Sequence, residues 1–252
     1  MPKSVQPSKT VSLHNNESER ADVVRIVLMG DTHGQHRALQ VPDGDLLIHA
    51  GDLTLSNRSL KEVRDFNQWF SKLPHPQKVL IPGNHDFKFA DPKWRRLITA
   101  ATLLLNECVE LDGIKIWGSP LTPSNFESFG ATSEADYGRI FSQIPAGTDL
   151  VITHGPPSGI LDVAGSGNAH HGCAHLLAAI RRVRPALHVF GHIHESYGMV
   201  SMNGTVFVNA ALAGPGYRLV RQPIVIEYDR LTRKIRRIEE QRRHSGQMGH
   251  ET

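Results

Sequence analysis

Short apolar runs, each closing on a glycine or a polar cluster, recur along this chain. Arg25 to Met29, Leu46 to Ile48, Val79 to Ile81, Leu150 to Ile152 and Ala186 to Phe190 are short, and their apolar positions do not alternate with polar ones. Runs of this kind predict strands buried on both faces. Between them, Leu60, Val63, Phe66, Trp69, Phe70 and Leu73 recur at helical spacing and predict a helix from about residue 58 to 73. Further helices are predicted from about Pro92 to Ala101, from Ser133 to Ile144 and from Cys173 to Val183, with Pro92 suited to a first turn. Shorter β-like pieces lie at Leu103 to Leu105, Cys108 to Leu111 and Ile114 to Trp117, and Asp112-Gly113 predicts a hairpin between the last two. Val206 to Val208, Ile224 to Tyr228 and Lys234 to Ile238 read as a closing set of antiparallel strands. The pattern by itself predicts an α/β fold.

Composition adds boundaries. The 252 residues, 39% apolar and 21% charged, suit one large domain over residues 23–240, flanked by a polar arm at 1–22 and a polar tail at 241–252. No apolar run approaches the roughly 18 residues of a membrane span. The polar start (Lys3, Ser4, Gln6, Ser8, Lys9) lacks the apolar core of a secretory signal. Two cysteines, Cys108 and Cys173, make no disulfide scaffold, so a cytoplasmic protein without a membrane partner is expected. The net charge of +3 is mild and demands no long nucleic acid as partner. The arginines at Arg181, Arg182 and Arg184 and from Arg233 to Arg237 read as solvated faces. Nothing here fixes an oligomeric state.

Candidate chemistry sits where the apolar runs end. The five runs lead into Asp31 and His33, Asp52, Asn84 and His85, His154, and His192 and His194. If the runs are strands of an α/β sheet, these clusters lie at carboxyl ends, where such sheets place ligand sites. His192 and His194 are two residues apart and face one side in extended backbone. Two carboxylates, one amide oxygen and four imidazoles suit manganese, iron or zinc better than calcium. Seven ligands exceed one tetrahedral site but suit two ions that share a carboxylate. Such a pair lowers the pKa of a bridging water and clamps both the attacking and the leaving oxygen. With Asp31 and Asp52 it leaves a net charge of about +2, which attracts phosphate esters.

Asp31-x-His33, Gly51-Asp52, Gly83-Asn84-His85-Asp86, Thr153-His154-Gly155 and Gly191-His192-x-His194 resemble, in order and type, the motifs of the calcineurin-like metallophosphoesterases. Each block alone is weak; the five together are specific. Leu47 to Asp52, Trp117 to Pro120, Thr153 to Pro157, Gly172-Cys173 and Leu187 to Glu195 resemble the class III cyclic-nucleotide phosphodiesterase subgroup, which includes the metallophosphoesterase-domain proteins. Some animal members carry glycine in place of the first histidine of Gly-His-x-His and are weak enzymes; His192 is present here. The resemblance implies a four-layer αββα sandwich of two mixed sheets flanked by helices. It implies a dinuclear, metal-dependent phosphoric ester hydrolase, a phosphodiesterase acting on cyclic nucleotides and related diesters. Asp31, His33, Asp52 and His194 would hold one ion. Asp52, Asn84, His154 and His192 would hold the second, with Asp52 as the bridge. Manganese is the first choice, with iron, zinc, magnesium or cobalt as alternatives. His85 would protonate the leaving oxygen, and Asp86 would orient its ring. A small phosphoester, a nucleotide, is the expected partner. A phosphomonoesterase or protein phosphatase with the same site, a nuclease, and a metal-free interaction module on the same fold are the competing readings; relatives of the last kind lose ligands, and none is missing here.

Other positions carry weaker signals. His170 and His171, in the glycine-rich stretch from Gly159 to Gly172, and Asn209 are candidate substrate contacts, with ordinary loop and turn roles as the alternatives. Asn125, Phe126 and Phe129, in the long loop from Gly118 to Gly130, could stack a nucleobase or belong to a satellite core. His49 reads as a packed histidine, His36 as solvent-facing at a helix start, and Cys173 as a buried small residue.

Overall fold

The computed structural model describes residues 22–239 apart from 57–58, 123–128, 130–132 and 166–168. The expected tail, residues 1–21 of the expected arm, and Asn125 and Phe126 lie outside the described residues. Strands β1 (Val23–Met29), β2 (Leu46–His49), β3 (Gln77–Leu80) and β4 (Thr102–Leu103) run parallel in one sheet. The second sheet contains β5 (Glu107–Leu111), β6 (Ile114–Ser119), β7 (Leu150–Thr153), β8 (Leu187–Phe190), β9 (Gly198–Met202) and β10 (Thr205–Asn209). Its order is β5-β6-β7-β8-β10-β9, parallel through the middle and antiparallel at both edges. Strands β11 (Ile224–Asp229) and β12 (Lys234–Glu239) return to the first sheet and extend it antiparallel beyond β1, giving β12-β11-β1-β2-β3-β4.

The two-residue period of a strand explains the layers. Ile26, Leu28, Ile48 and Val79 of the first sheet meet Ile116, Ile152, Val189 and Val208 of the second in a shared core. The intervening Val27, Met29, Leu47 and Leu80 face outward under Val63, Phe66, Trp69 and Phe70 of helix α1 (Leu60–Ser71) and Trp94 of the short α2 (Pro92–Arg95). On the opposite flank, Trp117, Val151, Phe190 and Phe207 lie under Ile140 and Phe141 of α3 (Glu134–Ser142) and Leu176 and Ile180 of α4 (Ala174–Val183). The result is the expected αββα sandwich. Strands β2, β7 and β8, covered on both faces, bury every side chain, which is why the runs read as continuous rather than alternating.

Helix starts follow local chemistry. Ser59 caps α1 by accepting from Lys61 N–H at 3.1 Å, and Ser133 caps α3 by accepting from Asp136 N–H at 3.2 Å. Asp112 (φ 48°) and Gly113 (φ 77°) both take positive φ in the turn from β5 to β6, as a tight hairpin requires. Two expectations change. The helix from Pro92 stops as an α-helix at Arg95, because the Asn67 side-chain oxygen of α1 accepts from both Thr99 and Ala100 N–H and draws the chain toward β4. The closing set divides between the sheets: β10 lies between β8, to which it is parallel, and the unforeseen edge strand β9. Both faces of β10 are apolar, and that pattern does not name its neighbours. No helix among the described residues is long and apolar enough to cross a membrane.

Candidate metal centre

The five polar clusters follow the carboxyl ends of β1, β2 and β3 in one sheet and of β7 and β8 in the other. Four of their residues turn the chain through the left-handed region: Asp31 (φ 52°), His33 (φ 42°), Asp52 (φ 55°) and His192 (φ 68°). Each costs about 1–2 kcal/mol relative to an ordinary conformation. Backbone bonds hold them there. Asp31 N–H donates to Gly51 O at 2.9 Å, His33 N–H to Asp52 O at 3.0 Å, and Gly191 N–H to His154 O at 3.0 Å. Glycine is required where the exits crowd: a side chain on Gly83 would enter the Asp52 carboxylate, and one on Gly191 the Asp31 carboxylate.

Side chains then join the sheets. The Asp31 carboxylate accepts from His192 N–H, at 3.0 and 3.2 Å to its two oxygens. The Ala50 carbonyl can only accept, so His154 Nδ1, 2.8 Å away, carries a proton and Nε2 is the nitrogen turned toward the site. That Nε2 lies 2.9 Å from Asn84 Oδ1 and 3.3 Å from Asp52 Oδ2. The same Asp52 oxygen lies 3.8 Å from His33 Nε2. His194 Nε2 is 3.2 Å from His33 Nε2 and 3.3 Å from Asp31 Oδ1. The His192 ring packs edge-on to His154, with centroids 5.2 Å apart. Asp52 Oδ1 accepts from His85 N–H at 2.9 Å.

This arrangement fits cations. In three sets, Asp31/His33/His194, His33/Asp52/His85 and Asp31/Asp52/His154, one donor atom from each residue falls within 4.8 Å of the others. Two buried carboxylates converge there with imidazole nitrogens and draw positive charge, either a proton or a cation. Burial pulls the His154 pKa down, but the charges of Asp52 and Asp31 overcome it and push it up to about 9. Burial raises Asp52, yet the charge and hydrogen bond of His154 more than offset it and hold the carboxyl well below its usual range. His192, desolvated and beside His154, falls to about 4 and stays neutral, as a metal-ligating imidazole must be. The oxygen and nitrogen donors suit a divalent transition ion.

The calcineurin-like phosphoesterase family model matches residues 24–196. The chain belongs to the calcineurin-like phosphoesterase family. Human metallophosphoesterase domain-containing protein 1 is 37% identical over 231 residues, covering 81% of this chain and 70% of that protein. The Caenorhabditis elegans protein UPF0046 K07C11.7 is 31% identical over 237 residues, covering 88% and 81%. Among solved structures, TT1561 of Thermus thermophilus aligns with TM-score 0.55 at 12% identity, over 86% of this chain and 99% of that one. The 5′-nucleotidase precursor of the same organism aligns with TM-score 0.51 at 14% identity, over 86% and 53%. Both structures share the fold. Calcineurin-like phosphoesterases use divalent metals to hydrolyse phosphoric esters, and the clustered side chains are this member's candidate metal ligands.

Several residues outside the ligand set differ from expectation in this phosphoesterase. Asp86 does not reach the His85 ring: its carboxylate accepts from Leu53 N–H, Thr54 N–H, Thr54 Oγ1–H and Gly83 N–H at 2.7–3.0 Å, joining the exits of β2 and β3. Burial and the Asp52 charge push its pKa up to about 7 against those donors. The His85 ring is held instead through Nδ1 on the Leu55 carbonyl, and Leu55 N–H donates to Glu62 of α1 at 3.0 Å. Asn209, expected as a substrate contact, is engaged within the fold. It is fully buried, donates to Ile193 O at 2.8 Å and accepts from Ala211 N–H at 3.1 Å, so it supports the His192–His194 turn. His170 is exposed and pairs with buried Asp162 at 2.7 Å. His171 is exposed on the same loop, which Ser196 Oγ joins to the His194 turn through Val163 O at 2.7 Å. Phe129 is half-buried against two apolar clusters rather than open to a base. His36 is buried beside Asp65 at 3.1 Å rather than solvent-facing, and His49 packs against Phe66 as expected. Tyr217, not singled out in the sequence, has its ring 4.7 Å from that of His33 and 5.4 Å from that of His85. Its one sequence signal is the turn Gly214-Pro215-Gly216 before it.

Proposed function

We propose that this chain is a phosphodiesterase acting on cyclic nucleotides and related small phosphodiesters. In this reading Asp31, His33, Asp52 and His194 hold one divalent ion, manganese first, and Asp52, Asn84, His154 and His192 hold a second. Such ions, when bound, supply Lewis-acid charge to a phosphoryl oxygen and lower the pKa of water. The observation that carries the reading is Asp52. One of its oxygens faces His33 at 3.8 Å and His154 at 3.3 Å, ligand candidates from different sheets, which supports a shared role. The other oxygen is held by His85 N–H, which fixes the carboxylate's orientation.

His85 supplies the proton. Its Nδ1 is occupied by the Leu55 carbonyl, so Nε2 is the nitrogen left to hand a proton to a departing alkoxide. His170 and His171 stand on the loop tied to the His194 turn and approach the rest of the substrate. The subgroup motifs, Leu47 to Asp52, Trp117 to Pro120 and Thr153 to Pro157, support the diester reading, and the complete Gly191-His192-x-His194 block supports a full ligand set.

The test is turnover by the manganese-loaded protein of bis(p-nitrophenyl) phosphate, 2′,3′- and 3′,5′-cyclic AMP and p-nitrophenyl phosphate. Diester turnover above monoester turnover is expected, with a loss of about 10²–10⁴-fold in His85→Ala. A clear monoester preference, or no turnover of any ester with any divalent metal, overturns the proposal.

A further inference from the structure

The crossover from β10 in the second sheet to β11 in the first passes the mouth of the metal centre, and Tyr217 rides on it. Its ring lies 4.7 Å from His33, 5.4 Å from His85 and 5.6 Å from His194, at interplanar angles of 75°, 67° and 87°. None of the three imidazoles stacks flat on it. The side chain is nonetheless 43% exposed. Among the described residues five large apolar side chains are this exposed, and two of them flank His85: Tyr217 packs on its ring, and Leu55, 46% exposed, holds its Nδ1 through the backbone carbonyl.

The backbone keeps Tyr217 there at a cost. Its φ of 59° lies in the left-handed region, which a tyrosine rarely adopts. The surroundings enforce it. Gln35, from the loop after β1, donates its side-chain amide to the Tyr217 carbonyl. Gly214 N–H closes the turn on Arg218 O at 2.8 Å. Leu212 N–H reaches Gly30 O at 3.1 Å, and Arg221 holds the Ala213 carbonyl from below. Strain and exposure retained together beside reactive groups point to a role in binding.

We infer that Tyr217 is a stacking platform for a planar ring, a nucleobase or an aryl group, on a phosphoester seated at the metal centre. This deepens the phosphodiesterase reading and rests on it. The platform stands against His33, His85 and His194 together, beside the position of a group borne on the phosphoester. It therefore selects substrates by the planarity of the group there, a role the sequence offered to Phe129, which is half-buried against two apolar clusters. The ligand class is a phosphoester bearing an aromatic ring, joined directly to the ester oxygen or through a ribose.

The test compares binding of 5′-AMP and ribose 5-phosphate to the manganese-loaded protein by calorimetry, in wild type, Tyr217→Ala and Tyr217→Phe. The wild type is expected to prefer AMP by about tenfold or more, since base–aromatic stacking contributes at about that level. Tyr217→Ala should bring the two ligands within about twofold of each other, and Tyr217→Phe, which keeps the ring, should retain the preference. An unchanged preference in Tyr217→Ala, or an equal loss or gain for both ligands, overturns the platform; equal loss marks a support for the histidines, and equal gain a plug. Turnover of bis(p-nitrophenyl) phosphate by the wild type separates the two claims. Turnover without a Tyr217-dependent preference for AMP sinks the platform alone. A Tyr217-dependent preference without turnover sinks the phosphodiesterase reading alone.

Discussion

His154 and His188, both fully buried, shift in opposite directions because of what faces them. His154 sees two carboxylates and is held well above its usual pKa. His188 sees Thr153 Oγ1 at 2.9 Å and the rings of Phe190 and Phe207, and burial pushes it down to about 3. A histidine that is neutral when folded and free to protonate when unfolded makes stability depend on pH. Between about pH 6.5 and 3 the unfolded chain binds a proton the folded chain does not, so stability falls with falling pH. For one such group the slope is about 1.4 kcal/mol per pH unit. Urea unfolding at pH 4, 5 and 6 should therefore show a slope shallower by about one proton in His188→Phe than in wild type. Asp86 is the complementary case. Four donors surround one buried carboxylate, and an amide cannot accept them all. Asp86→Asn should cost about 2 kcal/mol in denaturant unfolding, because it leaves buried N–H groups unpaired.

At the scale of the element, the ligand loops hold their shape through neighbours as much as through their own sequence. Asn209, the last residue of β10, fastens the turn that follows β8 by its bond to Ile193 O. Removing the amide frees the segment between His192 and His194 and strands a buried carbonyl. Asn209→Ala is expected to lower unfolding free energy by about 1–3 kcal/mol and to weaken manganese binding as read by calorimetry. An unchanged manganese affinity would separate the turn's stability from the site. Helix caps act more locally: Ser59→Ala should cost about 1 kcal/mol, measured the same way, with the site unaffected.

At the scale of the molecule, the centre is a seam. Asp31 and Asp52 come from one sheet, His154 and His192 from the other, and ions held among them would tie the two sheets together. A ligand that binds only the folded state stabilises it by about 2.7 kcal/mol at a hundred times its dissociation constant. For a chain of this size that corresponds to a rise of about 5–10 °C in Tm. Manganese should produce such a rise, EDTA should reverse it, and Asp52→Asn should abolish it in thermal melts.

The sequence by itself determined the strands other than the edge strand β9, the three longer helices and the residues of the candidate centre. Strands covered on both faces must be apolar without interruption, and candidate ligands must follow them where loops begin. Five short motifs in fixed order carried the family. The tertiary structure alone decided that the ligand exits come from two sheets, that β10 pairs with β8 and β9, that Asp86 bonds the exits of β2 and β3 rather than the His85 ring, and that the Asn209 amide bonds the turn after β8. It alone brought Tyr217 to the mouth of the centre, 184 positions after His33 in the chain and 4.7 Å from its ring. A side chain's period tells whether it is buried. Which groups it meets depends on where distant segments are folded against it, and no local pattern records that.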